Sequence, residues 1–207
     1  MLNPSRRWMV LGALYVAFFS WYTSFGGPLT PEEIDTFVST LQERDAPPET
    51  VARFRRFMES DTGDDFVMLN AIQLNDVPKP VPGVEAGDTS EDVLRKYTGP
   101  FMGRALRSAA HPVLFGTAAA PAVDVWGIEG ADDWSAGGVI RYRSRRDLME
   151  QAVAVGPSGI HDFKIAAMAK TIAFPLDPWF QLGDPRLLLA LILGIIGLMH
   201  QKVRSSK

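Results

Sequence analysis

Two kinds of apolar pattern divide this chain. At its ends the apolar residues run together: Trp8 to Phe25 (WMVLGALYVAFFSWYTSF) has no charge, and Leu187 to Met199 (LLLALILGIIGLM) is apolar throughout. Between them apolar residues recur with helix or strand spacing. Ile34, Phe37, Val38 and Leu41 fall at i, i+3, i+4 and i+7, one helix face. Thr30-Pro31-Glu32-Glu33 in front of them forms a capping box with proline in the first turn. Pro47-Pro48 ends this helix, and a second follows from Glu49 to Glu59 with Val51, Phe54, Phe57 and Met58 inward. Phe66 to Leu74 (FVMLNAIQL) predicts a strand. Asn75 to Gly87 is a Pro- and Gly-rich loop, and Thr89 or Ser90 caps a helix carrying Val93, Leu94, Tyr97 and Leu106. Gly99-Pro100 is expected to kink or divide that helix. His111 to Phe115 and Ala136 to Tyr142 read as strands. Ser144 caps a helix from Arg145 to Ala154, Ser158 caps another through Ala169, and Thr171 to Leu176 is a fourth strand.

The ends predict membrane helices. Eighteen residues at about 1.5 Å each span about 27 Å, close to a hydrocarbon core of about 30 Å. Trp8, Trp21 and Tyr22 suit interfacial belts. A cleaved signal peptide is the rival reading, but Phe25-Gly26-Gly27 makes a poor small-x-small cleavage site. The second run has thirteen residues, about 20 Å of helix, and is expected to be a short span rather than a buried core helix. Gly194 and Gly197, three apart, would let a further helix approach closely. Arg6 and Arg7 precede the first run, while Lys202, Arg204 and Lys207 follow the second. The positive-inside rule then puts both termini in the cytoplasm and residues 28–185 on the other side. The expectation is an integral protein of a bacterial inner membrane with a periplasmic domain. It has an anchor over 1–27, a helical preface over 28–63, an α+β domain over 64–178 and a short transmembrane helix with a basic tail over 179–207. The bilayer, other integral membrane proteins and a second copy are the expected partners.

Charge narrows the function classes. All 24 acidic residues lie between 28 and 186, with 16 of the 21 basic ones, so the middle carries a net −8. Such a surface repels nucleic acid. The chain has no cysteine, which excludes disulfides, iron–sulfur clusters, thiolate zinc and covalently attached c-type haem.

The element order after the two preface helices is β-α-β-β-α-β, the ferredoxin-like arrangement of an α+β fold. The segments FVMLN (Phe66–Asn70), Tyr97, DDWSAGGVIRYRSRRDLMEQA (Asp132–Ala152) and the helix around His161 feeding TIAFPL resemble the dimeric α+β barrel superfamily. Within it the chain is similar to a small family of uncharacterised domains with the pattern vvmlN, Y, WD and vvivrYpSr. The resemblance covers residues 64–176. The chain departs from the pattern at Ser135, where an acid usually follows the tryptophan, at Arg143 in place of proline, and at His161 where arginine is common. The resemblance implies pairing of sheets across a two-fold axis, in a homodimer or with an equivalent partner.

Candidate chemistry is sparse. His161, on a helix beside Asp162, has the chemistry to ligate haem or act as a base; a solvent-facing helix residue is the simpler reading. Asn70, interrupting an apolar strand, needs hydrogen-bond partners and, if it pointed into a barrel, could touch a ligand. These two are the candidate cofactor-binding residues. His111 reads as a loop cap, and Tyr97 and Trp134 as packing aromatics. Arg141, Arg143, Arg145 and Arg146 could hold an anion, but pairing with the domain's acids is simpler. Asp132-Asp133 lacks the spacing of a metal cage. There is no Gly-rich phosphate loop, HExxH, GxSxG or Cys/His framework. The reading is therefore of a non-catalytic accessory subunit of a larger membrane complex, with no catalytic residue, metal or cofactor. The alternative is a membrane-tethered enzyme of the dimeric α+β barrel kind, acting on haem or a small aromatic substrate.

Overall fold

The computed structural model describes residues 4–155 and 159–205, and the chain in it separates into two units. One combines the N-terminal stretch to Ser24 with the stretch from Pro178; the other is Phe25–Asp177. Ser158 and Lys207 lie outside the described residues, as do the side chains of Lys202 and Arg204.

Four strands form the larger unit's sheet: β1 (Phe66–Leu74), β2 (His111–Thr117), β3 (Ala136–Tyr142) and β4 (Met168–Leu176). Their order is β2-β3-β1-β4, and every neighbouring pair is antiparallel. The class is α+β. Pro112 and Pro175 stand in β2 and β4, the two edge strands, where a missing N–H costs no ladder bond. The β2 ladder also shifts register between Pro112 and Leu114. At Gly138 in β3, a Cβ would lie 2.5 Å from the Phe115 ring, so this position needs glycine for the ring to settle there.

One face of the sheet is covered by helices except at its β2 edge, where Phe115 is 61% exposed. Phe66, Met68 and Leu74 of β1 alternate onto that face with Tyr142 and Ile140 of β3. Against them pack Phe101, Met102 and Ala105 of α4 (Ser90–Ala105), Leu148 of α5 (Arg145–Val155), and Phe163, Ala166 and Ala167 of α6 (Ile160–Ala167). Thr89 caps α4 in a capping box with Asp92. Gly99-Pro100 does not divide the helix: α4 runs from Ser90 to Ala105 with Pro100 inside it. Packing of Phe101, Met102 and Ala105 offsets the lost backbone bond. β4 begins at Met168, inside the stretch expected to be helix, because α6 ends at Ala167.

The preface belongs to the same unit. α2 (Pro31–Gln42) and α3 (Pro48–Glu59) bury Ile34, Val38, Val51 and Met58 around Met149 of α5. Thr30 and Glu33 complete the capping box on α2, and Glu33 also pairs with Arg146 at 2.7 Å. Asp61 is 2% exposed and accepts the Leu29 and Gly63 N–H groups at 2.9 and 3.1 Å. Its partner Arg145 lies 3.7 Å away, donates to the Phe57 carbonyl and to Ser60 Oγ, and stands over the Phe57 ring. Gly63, at φ +85°, is required there: a Cβ would meet Gly27 at 2.6 Å.

The expected flanking transmembrane helices are corrected. Among the described residues no helix is long and apolar enough to cross a membrane. The membrane localisation, the periplasmic domain and the cytoplasmic termini that followed from those helices fall with them. α1 (Pro4–Tyr22) stops before the apolar run ends, takes in Arg6 and Arg7, and is diluted by Tyr, Ser and Trp. The apolar stretch of α7 (Pro185–Ser205) remains thirteen residues, too short on its own. The two helices pack on each other. Trp8 lies against Gly197, where a Cβ would come within 2.2 Å of the indole. Arg186, paired with Asp184 at 2.6 Å, stands over the Tyr22 ring at 5.4 Å. The close approach expected at Gly197 is thus used within the chain, while a Cβ at Gly194 would meet nothing within 4 Å.

Candidate interaction surface

Alternation along the strands puts Val67, Leu69, Ala71 and Gln73 of β1 on the sheet's other face. Arg141 and Val139 of β3, Leu114 of β2, and Lys170, Ile172, Phe174 and Leu176 of β4 join them. Towards one end this face is closed: Val67 is buried, and Arg141, 1% exposed, is held by Asp65 at 3.0 Å and the Ala109 carbonyl at 3.1 Å. Along the edge strands it stays open, with Leu114 66%, Ile172 46%, Phe174 41% and Leu176 40% exposed. The alternation in TIAFPL carried the signal for these β4 residues, but nothing in it says which face lacks a helical cover.

At the rim of this face stands the β2–β3 connection, residues 118–135. Its base is a hydrogen-bonded stalk, with Ala118 donating to the Ser135 carbonyl at 3.0 Å and Ala122 to the Asp132 carbonyl at 2.8 Å. Ser135 ties the stalk to β1. Its Oγ accepts the Leu74 N–H at 2.9 Å and its own N–H reaches the Ile72 carbonyl at 2.8 Å. Lys170, on the open face, donates to the Gly130 carbonyl and lies 4.8 Å from the Trp134 ring centre. Trp134 Nε1 donates to the Ala131 carbonyl at 2.9 Å. Above this base the tip holds out Val123 and Trp126, 99% and 92% exposed, with Ile128 beside them. Trp126 lay outside the candidates read from the sequence, where a tryptophan in a loop has no periodic signature.

The sequence candidates fall elsewhere. Asn70 shares the helix-covered face with Met68 by alternation and donates to the Met68 carbonyl at 2.9 Å. His111 opens β2, with Nδ1 3.0 Å from the Pro112 carbonyl. His161 sits on the exposed side of α6, edge-on to Tyr97 of α4, ring centres 6.2 Å apart. Lys164, one turn along α6, was not among the sequence candidates; its Nζ lies 5.7 Å from the Tyr97 ring centre, and Tyr97 stacks on Phe101. Partial desolvation, then Lys164, hold the imidazole below its ordinary range, with Asp162 opposing. Burial lowers Lys164 and pushes Tyr97 up to about 12. Partial burial thus disfavours charge on all three groups. The four arginines are engaged by carboxylates: Arg141 by Asp65, Arg143 by Asp147 at 2.6 Å, Arg145 by Asp61, and Arg146 by Glu33. Among the described residues no group of three or more His, Asp or Glu is placed to hold a metal.

No protein-family model matches the chain, and no curated protein matches it. Among solved structures, a protein of unknown function from Rhodopseudomonas palustris, a structural genomics target, is similar at 18% identity and a TM-score of 0.50. The likeness covers 65% of this chain and 95% of that one. A methylated form of that protein is similar at 19% identity and a TM-score of 0.52, over 67% and 95% of the two chains. At this identity the likeness concerns the fold alone.

Proposed function

We propose that this chain is a non-catalytic interaction subunit of a larger protein assembly. The observation that carries the reading is the placement of exposed apolar surface, which monomeric proteins rarely leave in large continuous patches. On the helix pair, Met9, Leu14 and Val16 of α1 and Leu187, Leu191, Ile195 and Leu198 of α7 are all more than half exposed. Gly194 offers a further helix a close approach. On the sheet unit, the open face is a second such surface. The resemblance to dimeric α+β barrels supports pairing of that face with a second copy. In this reading the helix pair docks to other subunits and the sheet face serves self-association.

A second reading draws on the Tyr97–His161–Lys164 grouping: an enzyme of the dimeric α+β barrel kind, acting on haem or a small aromatic substrate. One preparation tests both. Gentle extraction of the full-length protein from its native cells, native mass spectrometry and an absorption spectrum should show the chain bound to other proteins with no Soret band. A lone monomer overturns the accessory role. A Soret band that disappears in His161→Ala replaces it with the enzyme reading.

A further inference from the structure

We infer that the tip of the β2–β3 connection, Val123 to Ile128 with Trp126 at its centre, docks on the open sheet face of a second copy of this chain. The inference rests on the self-association reading above and adds the element that makes the pairing large enough to hold. The exposed parts of Leu114, Ile172, Phe174 and Leu176 amount to roughly 350 Å², well short of the about 800 Å² that each partner brings to a standard interface. Val123, Trp126 and Ile128 add roughly 500 Å² more, which closes that gap.

Three observations select the occupant. The sheet's edges are poor sites for an added strand: each edge strand carries a proline, and β2 has an irregular ladder beside Pro112. A partner is therefore directed to the face. Asp124, Glu129, Asp132 and Asp133 lie in or beside the tip along the chain, so its apolar residues do not suit an anionic lipid surface or a nucleic acid. Finally, each copy presents one apolar face and one apolar tip on a stalk fastened at the rim of that face by Lys170 and Ser135. Two copies related by a two-fold axis satisfy both tips and both faces and leave neither over, the closed isologous arrangement. An exposed tryptophan entering an apolar surface is the residue type that dominates binding energy at interfaces. Because residues 28–186 are net acidic while the contact is apolar, the association should strengthen as salt screens the repulsion.

The cysteine-free background gives a direct test on the full-length protein. Val123→Cys and Phe174→Cys variants, mixed in equal amounts and oxidised, should form a disulfide-linked dimer containing one chain of each. In sedimentation, Trp126→Ala should weaken dimerisation by at least about tenfold, the loss expected for a central hot-spot residue. At concentrations where the chain is monomeric its melting temperature should not change, because the indole is exposed within one copy. A dimer that gives no mixed cross-link, or that Trp126→Ala leaves unaltered, overturns the tip assignment while sheet pairing stands. Cross-linking within one chain in the double variant Val123→Cys/Phe174→Cys, without a linked dimer, shows the tip closing on its own face and also overturns it. A protein that sediments as a monomer at all concentrations removes self-association itself.

Discussion

On the helix-covered face of the sheet, Phe66 and Tyr142 stack 5.4 Å apart and are 1% and 4% exposed. On the opposite face, Phe174 and Leu176 keep two fifths of their surface in water. The residue types are alike, and so is the strand pattern that presents them. What differs is connectivity. α4 joins β1 to β2, and α5 with α6 joins β3 to β4. Crossovers between parallel strands keep one hand, so both fall on the same side of the sheet. Among the described residues this unit has no helical layer on the other side, and along the edge strands that face stays exposed. Apolar content along a strand thus reports that a face will be covered without reporting by what.

The sharpest way to break this comparison is to shorten one aromatic on each face. Phe66→Ala should cost about 3–5 kcal/mol in chemical denaturation, because it removes a fully packed ring from between Phe57 and Tyr142. Phe174→Ala, measured on dilute protein, should cost about 1 kcal/mol or less. Equal losses would mean that the second face is already packed within one copy. A smaller effect is expected where the preface is fastened. Asp61→Ala leaves the Arg145 guanidinium buried without its carboxylate and frees the Leu29 N–H, at a cost of about 3 kcal/mol. It should expose the segment before α2 to limited proteolysis ahead of global unfolding; uniform cleavage would show that the preface and sheet melt as one.

The smallest effect separates charge from packing. Hydrogen bonding to Arg146, followed by the Thr30 N–H, lowers the Glu33 carboxyl to about 2 from its ordinary 4.5. A depressed folded pKa contributes stability that is present above about pH 4.5 and lost as the pH falls towards 2. Since Glu33 is over one third exposed, solvent screening reduces that contribution to about 1 kcal/mol. Glu33→Gln should therefore lower stability by that amount at pH 6 and by only about a quarter of it at pH 2.5, read from urea midpoints. A pH-independent difference would assign the loss to the cap rather than to the ion pair.

Much of the sheet unit was readable before any coordinates. β1 and β3 begin and end at the residues that their apolar runs predict, and Thr30 and Thr89 cap helices because a small hydroxyl residue with an acid three positions on satisfies free backbone N–H groups locally. Such features rest on interactions within a few residues, so the local sequence suffices. Pro100 does not divide α4, because its local cost is set against distant packing. The two terminal runs were misread for a related reason. Composition described each helix alone, whereas Trp8 against Gly197 and Arg186 over Tyr22 are contacts between residues more than 160 positions apart.

The candidate surface divides in the same way. The alternation Ile172, Phe174, Leu176 could be read along the chain, as could the acidic residues on either side of Trp126. That these residues share an uncovered face and its rim could not, because it depends on strand order, on both crossovers choosing one side, and on Lys170 reaching back to Gly130. Local spacing specifies which residues must leave water; only long-range pairing and the hand of the connections specify which of them the chain itself can cover, since each such contact closes a loop that the linear pattern does not describe.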